Sequence, residues 1–169
     1  MDSTAHLLHG FIGSGKTTFA RLLEKKLPAV RLTHDEWIRK LYGRAPPEDA
    51  YPEYYRRVED LIWATAAGVL ASGSDVVLDL GFWTRESRDT ARERIASIGS
   101  NASFYSVVCP RETMLSRTLA RSEDPPPDSM WVDRPAFEKF WRRFEPMGDD
   151  ETFTRIDGTD TEHLQPRSR

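Results

Sequence analysis

Gly10, four residues, then Gly15, Lys16 and Thr17 make "GFIGSGKT" the stretch that most constrains this chain. The spacing is that of a phosphate-cradling loop, where glycines allow several backbone N–H groups to converge on one anion. Such a loop has to be fed by a strand and drained by a helix. The helix start then adds unpaired N–H groups and the positive end of its dipole. Both neighbours are present: the apolar run His6–Leu8 comes before, and Thr17–Lys26, with Phe19, Leu22, Leu23 and Lys26 at helical spacing, comes after. Gly10, Gly13, Ser14, Gly15, Lys16, Thr17 and Thr18 are therefore the expected nucleotide contacts. Lys16 suits the β and γ phosphates, the Thr17 hydroxyl suits Mg²⁺, and Thr18 suits the α phosphate.

The remaining chain alternates in the way such a loop requires. "AVRLT" (29–33), "DVVLDL" (75–80), "SFYSVVC" (103–109) and "TFTRID" (152–157) read as strands, the second as a buried parallel one. Helical patterns cover 52–72, 84–98 and 111–121. A further one follows a capping Asp133, with Phe137, Phe140, Trp141 and Phe144 on one stripe read as core. This predicts an α/β protein: a three-layer P-loop NTPase sandwich, a five-stranded parallel sheet with helices on both faces, and a small lid. One domain over 1–163 with the lid near 117–135 is expected, and a disordered tail over 164–169.

The net charge of −3 gives no general pull toward nucleic acid, and one cysteine excludes an internal disulfide. No apolar run approaches the roughly 18 residues of a membrane span, and no leader pattern precedes the loop, so a cytoplasmic protein without membrane contact is expected. Guanine-reading N-K-x-D is absent. The apolar strand "VVLDL" ends in Asp79 followed by Leu80, so the water-polarising Glu of motor ATPases is absent too. Asp79 remains suited to a Mg²⁺-bound water. His9, His34, Ser14, Ser116 and Cys109 show no metal-ligand or nucleophile pattern, and Cys109 reads as core.

In the order "GFIGSGKTT", "THDEWIRKLYG", "VVLDLGFWTRESR", "CPRETMLSRTLARSE", the chain resembles the P-loop kinases of small-molecule and polynucleotide type. These include the phage 5′-hydroxyl polynucleotide kinase, chloramphenicol phosphotransferase and zeta-toxin groups. The resemblance implies ATP and Mg²⁺ as cofactors. It makes Asp35, after the second strand, the base that takes a proton from an attacking hydroxyl, although an Asp there also suits a helix cap. It makes Arg117 and Arg121, one helical turn apart, lid arginines that offset charge on the transferred phosphoryl group. The chain departs from the polynucleotide kinase at Ile38, where that group has an Arg; Arg39 is one position off.

Arg85 and Arg88, cations at a helix start, fit either an anionic ligand or an ordinary surface pair. Trp37, Arg39 and Trp83 join them as acceptor contacts, within an aromatic collection that also holds Tyr42, Tyr51, Tyr54, Tyr55 and Phe82. The expected activity is transfer of the ATP γ-phosphate to a hydroxyl of a small molecule. A 5′-hydroxyl polynucleotide or tRNA kinase and a non-catalytic ATP-binding module are the alternatives. The acceptor and the oligomeric state are not legible.

Overall fold

A computed structural model describes residues 3–43, 46–47, 49–123 and 131–159. Among them five strands form one parallel sheet: β1 (Thr4–His9), β2 (Ala29–Thr33), β3 (Asp75–Gly81), β4 (Asn101–Val108) and β5 (Thr154–Asp157), in the order β2-β3-β1-β4-β5. The helices are α1 (Lys16–Lys26), α2 (His34–Tyr42), α3 (Tyr51–Ala71), α4 (Arg85–Ile98), α5 (Arg111–Glu123) and α6 (Arg134–Trp141). Residues 124–130 of the expected lid, and the expected tail, lie outside the described residues.

Side-chain alternation along the strands builds two cores. Ala5, Leu7, Val76 and Leu78 pack against Val58, Ile62, Ala66 and Leu70 of α3 and against Ala91 and Ile95 of α4. Their neighbours Leu8 and Val77 face the other way, onto Phe19, Ala20 and Leu23 of α1. A period of two in the strands thus feeds helices on both faces. A third cluster joins Phe11 of the glycine loop to Met114 and Leu115 of α5 and to Phe137 of α6, which bears out the aromatic stripe as core.

Caps fix where the helices start. Thr84 and Ser87 form a reciprocal capping box at α4, and Asp133 Oδ1 accepts the Ala136 N–H at 2.8 Å at α6. Helix α2 was not among the helices read from the sequence. Its N-cap is Thr33, so Asp35 is its second residue and not its cap. Helix α6 stops at Trp141, short of Phe144, yet Phe144 still stacks on Trp141 with centroids 5.6 Å apart.

Candidate phosphotransfer site

The sheet register assembles the site. Thr33 at the end of β2 lies beside Asp79 near the end of β3, and His9 at the end of β1 lies beside Gly81. The loop after β1, the start of α2 and the end of β3 therefore meet beyond the carboxyl ends of adjacent strands, where ligands bind in sheets of this kind.

Within the loop, Gly13 has φ +80, and a Cβ there would sit 2.4 Å from the Met114 carbonyl oxygen. Only glycine lets the loop pass this close to α5 in that conformation. Helix α1 opens on Gly15 with no acidic residue in its first turn, which leaves its N-terminus suited to an anion. Lys16 Nζ donates to the Phe11 carbonyl at 2.9 Å, and Thr17 Oγ1 donates to Asp79 Oδ2 at 2.9 Å. The Ser14 hydroxyl is buried with no hydrogen-bond partner among the described residues. Backbone cradle, hydroxyl–carboxylate pair and orphaned Ser14 oxygen suit a nucleotide phosphate with a divalent cation, to which Thr17 and Asp79 would offer oxygen ligands. Thr18 is exposed in the first turn of α1.

Phe11 anchors this loop. Its ring lies 5.1 Å from Trp83, 5.0 Å from Phe137, 4.9 Å from Trp141 and 5.4 Å from Phe144. The Trp83 indole N–H donates to the Gly10 carbonyl at 3.1 Å. Trp83 thus supports the phosphate loop, a role that the sequence reading, which placed it with the acceptor, missed.

Asp35 occupies the open end of the cleft. Asp35 is solvent-exposed, yet crowding of its carboxylate in the cleft, then the Asp79 carboxylate, push its pKa up to about 6, against the opposing pull of Lys16, Arg121 and Arg39. The same environment lowers the Lys16 pKa through burial, while Asp79 and Asp35 oppose that shift. Tyr51 and Tyr55 of α3 border this end: burial raises their phenol pKa values, and Asp35 adds to both shifts. Trp37 packs on the core beside Ile38, and Phe82 is buried between Trp63 and Phe104. Phe82 therefore offers no stacking face, whereas Trp37 stays partly exposed.

The arginines divide. Arg121 acts on Asp35 through space. Arg117 Nη1 donates to the Gly158 carbonyl at 2.7 Å and, at the longer distance of 3.4 Å, to Gly13, while Nη2 donates to Thr159 at 2.9 Å. Arg88 departs from the expected ligand contact. Its residue is 1% exposed, and its guanidinium grips Glu151 and the carbonyls of Phe82, Trp83, Glu145 and Pro146. An Arg with every donor engaged inside the protein has none left for an acceptor. Arg85 is exposed and pairs with Asp89 and Asp150. The sequence carried no sign of Glu151, which lies 63 positions from its partner.

His9 is buried between the Ser106 hydroxyl and the Glu145 carbonyl, each 3.1 Å away, with its pKa lowered to about 4 by burial. Burial likewise lowers His34 to about 4; its Nε2–H donates to the Tyr55 carbonyl at 3.3 Å, and its ring lies 3.8 Å from the Tyr55 ring, tilted by 31°. Both are structural, as expected from the sequence.

A family model described as "AAA domain" matches residues 6–147. No curated protein matches the chain. Among solved structures, a chain of the Pnkp1/Rnl/Hen1 RNA repair complex is similar with TM-score 0.68 and 23% identity, over 83% of this chain and 43% of that one. The chain thus spans less than half the length of that relative. Kti12 of Chaetomium thermophilum, in complex with ADP-AlF3, is similar with TM-score 0.68 and 19% identity, over 84% and 80%. A gluconokinase from Sinorhizobium meliloti 1021 is similar with TM-score 0.62 and 17% identity, over 94% and 85%. These likenesses are of fold, and it is the fold of small P-loop kinases.

Proposed function

Since the chain belongs to the AAA domain family, we propose that it is an ATP-dependent phosphotransferase that moves the γ-phosphoryl group to a hydroxyl of a small molecule. The observation that carries this reading is Asp35. It stands at the start of α2 beyond the strand ends, is not spent as a cap, and has a pKa raised to about 6 in the company of Lys16 and Asp79. A carboxylate with that pKa is ionised at neutral pH, yet more basic than an ordinary one, which suits a general base.

In this reading the loop N–H groups other than those of Gly10 and Ser14, which donate to the Gly81 and Phe11 carbonyls, join the ammonium of Lys16 in holding and orienting the β and γ phosphates. Thr17 and Asp79 would hold Mg²⁺, which when bound would neutralise phosphate charge. The acceptor oxygen bonds to the γ phosphorus as the bond from phosphorus to the β–γ bridging oxygen breaks. Its proton passes to an Asp35 carboxylate oxygen. Arg121, near Asp35, offsets the charge that gathers on the transferring group. Arg39, in the field of Asp35, together with Tyr51 and Tyr55, borders the acceptor side.

A second reading, transfer to a 5′-hydroxyl of a polynucleotide, draws on the cationic rim: Arg39 and Arg121 act on Asp35, and Arg143 acts on Tyr55. A screen of ADP release across sugars, sugar acids, nucleosides, antibiotics and 5′-hydroxyl oligonucleotides, with Lys16→Ala as control, tests both. Turnover with a small hydroxyl compound, absent in the control, supports the first. Turnover confined to oligonucleotides and steeply reduced by salt favours the second. ATP binding with no turnover on any acceptor would leave a nucleotide-binding module.

A further inference from the structure

We infer that Arg117 is a positioning residue that locks the phosphate loop to the turn after β5, and not a lid arginine that reaches the γ-phosphate. This rests on the proposal that the loop binds a nucleotide. A carbonyl on the outer side of a tightly wound loop needs a donor of its own if it is not to be left unpaired. The peptide joining Gly13 and Ser14 is held at both ends. Its N–H donates to the Phe11 carbonyl at 3.1 Å, and its oxygen faces Arg117 Nη1 at 3.4 Å.

The same guanidinium holds Gly158 at 2.7 Å and Thr159 at 2.9 Å, so one planar group ties the loop to the turn. The turn is pressed against the loop: a Cβ on Gly158 would lie 1.9 Å from the Ser14 carbonyl oxygen. It is also braced from behind, by the Gly158 N–H on the Val108 carbonyl at 2.7 Å and by the Asp157 carboxylate accepting the Thr159 N–H at 3.0 Å. A side chain whose two terminal nitrogens are engaged by these carbonyls sets the shape of the cradle that any nucleoside diphosphate or triphosphate must enter. Arg121, one turn further along α5, has its charge turned to the cleft group Asp35.

The two roles separate in the affinities for ADP and for a non-hydrolysable ATP analogue, measured by calorimetry with Mg²⁺, beside the melting temperature without nucleotide. A positioning role predicts that Arg117→Ala weakens both ligands by the same factor, about tenfold, since the cradle they share is loosened. Arg117→Lys, which keeps the charge but lacks the fork, recovers only part of this. Gly158→Ala reproduces the loss, and its combination with Arg117→Ala adds little further. Arg121→Ala weakens the triphosphate analogue more than ADP. ADP affinity unchanged in Arg117→Ala with the triphosphate analogue weakened overturns the inference in favour of a lid arginine. Unchanged affinities with a lowered melting temperature overturn it in favour of a purely structural one. Wild-type protein that binds neither ligand overturns the proposed function itself.

Discussion

Two carboxylates packed among arginines behave in opposite ways in this molecule. Burial alone would raise the Glu151 pKa, but hydrogen bonds from Arg88, the Gly148 N–H and Arg92 outweigh it and hold it at about 2. Asp35 is raised to about 6, because crowding of its carboxylate in the cleft and Asp79 outweigh Lys16, Arg121 and Arg39, which act on it through space. Charges of both signs surround each group. The difference lies in donors: those on Glu151 make directional bonds at 2.7–3.2 Å, filling its lone pairs. A filled carboxylate is a strut, whereas an unfilled one close to neutrality can take up a proton.

The strut holds something specific. Phe82, with φ 43, is the one non-glycine among the described residues in the left-handed region, a conformation that costs about 1–2 kcal/mol. Arg88 grips its carbonyl and that of Trp83, and Trp83 in turn grips Gly10. The strut thus fixes the turn that supports the phosphate loop.

The sharpest way to break this contrast is Asp35→Asn. With an acceptor identified, the rate of transfer should fall by about 10²–10⁴, the usual worth of a general base, while ATP affinity measured by calorimetry stays near the wild-type value. A fully active variant would remove Asp35 from the chemistry. On the strut, Arg88→Ala removes the main partner of a buried carboxylate, leaving it only Arg92 and the Gly148 N–H, and should cost about 3–5 kcal/mol in denaturant unfolding, whereas replacing both Arg88 and Glu151 with apolar residues of similar volume should cost less. If single and double variants lose the same stability, the pair is not the unit described.

The pH dependence of the two groups should cross. Glu151 is held below its ordinary 4.5, so its contribution is fully present above that pH and fades as pH falls toward 2. Asp35 is held above its ordinary 3.8, so its contribution is fully present below that and is lost as pH rises through about 6. Thermal melts should therefore show Glu151→Gln less stable than wild type at pH 7, with the gap closing in acid. Asp35→Asn should be more stable than wild type at pH 7.5, with that gap also closing in acid. Transfer should rise with pH through about 6 as Asp35 loses its proton.

What the sequence revealed follows the same divide. The glycine loop, the parallel sheet, the cap at Asp133 and the aromatic stripe rest on local spacing, so they were readable. Helix α2 was passed over as an element because "HDEWIRKLY" is short and charge-rich, with Ile38 as its main core contact. Arg88 read as a ligand contact because a cation at a helix start lacks a local partner, and Glu151 comes close only when the chain after α6 folds back over α4. Arg117 and Arg121 share a helix face, and the kinase resemblance gave both the same lid role. Which carbonyls one of them meets depends on Gly158, far along the chain. Local patterns reveal elements and the loop they build, but whether a charge is filled or open is decided by long-range packing.

The smallest effect tests the joint between the two regions. Trp83 belongs to both: its indole N–H holds Gly10, its carbonyl accepts the Glu145 N–H at 2.8 Å, and its ring lies on Phe11. Trp83→Phe keeps most of the ring packing and deletes only the indole donor, leaving the carbonyl of the buried Gly10 without it. Loss of one such bond should cost about 0.5–1.5 kcal/mol of stability. If the strut serves the cradle, ATP and ADP should weaken together by a few-fold while the pH at which transfer rises stays unchanged, because Asp35 is not touched. A shift in that pH midpoint with nucleotide affinity intact would mean that Trp83 acts on the acceptor side, and that strut and cleft are not joined through it.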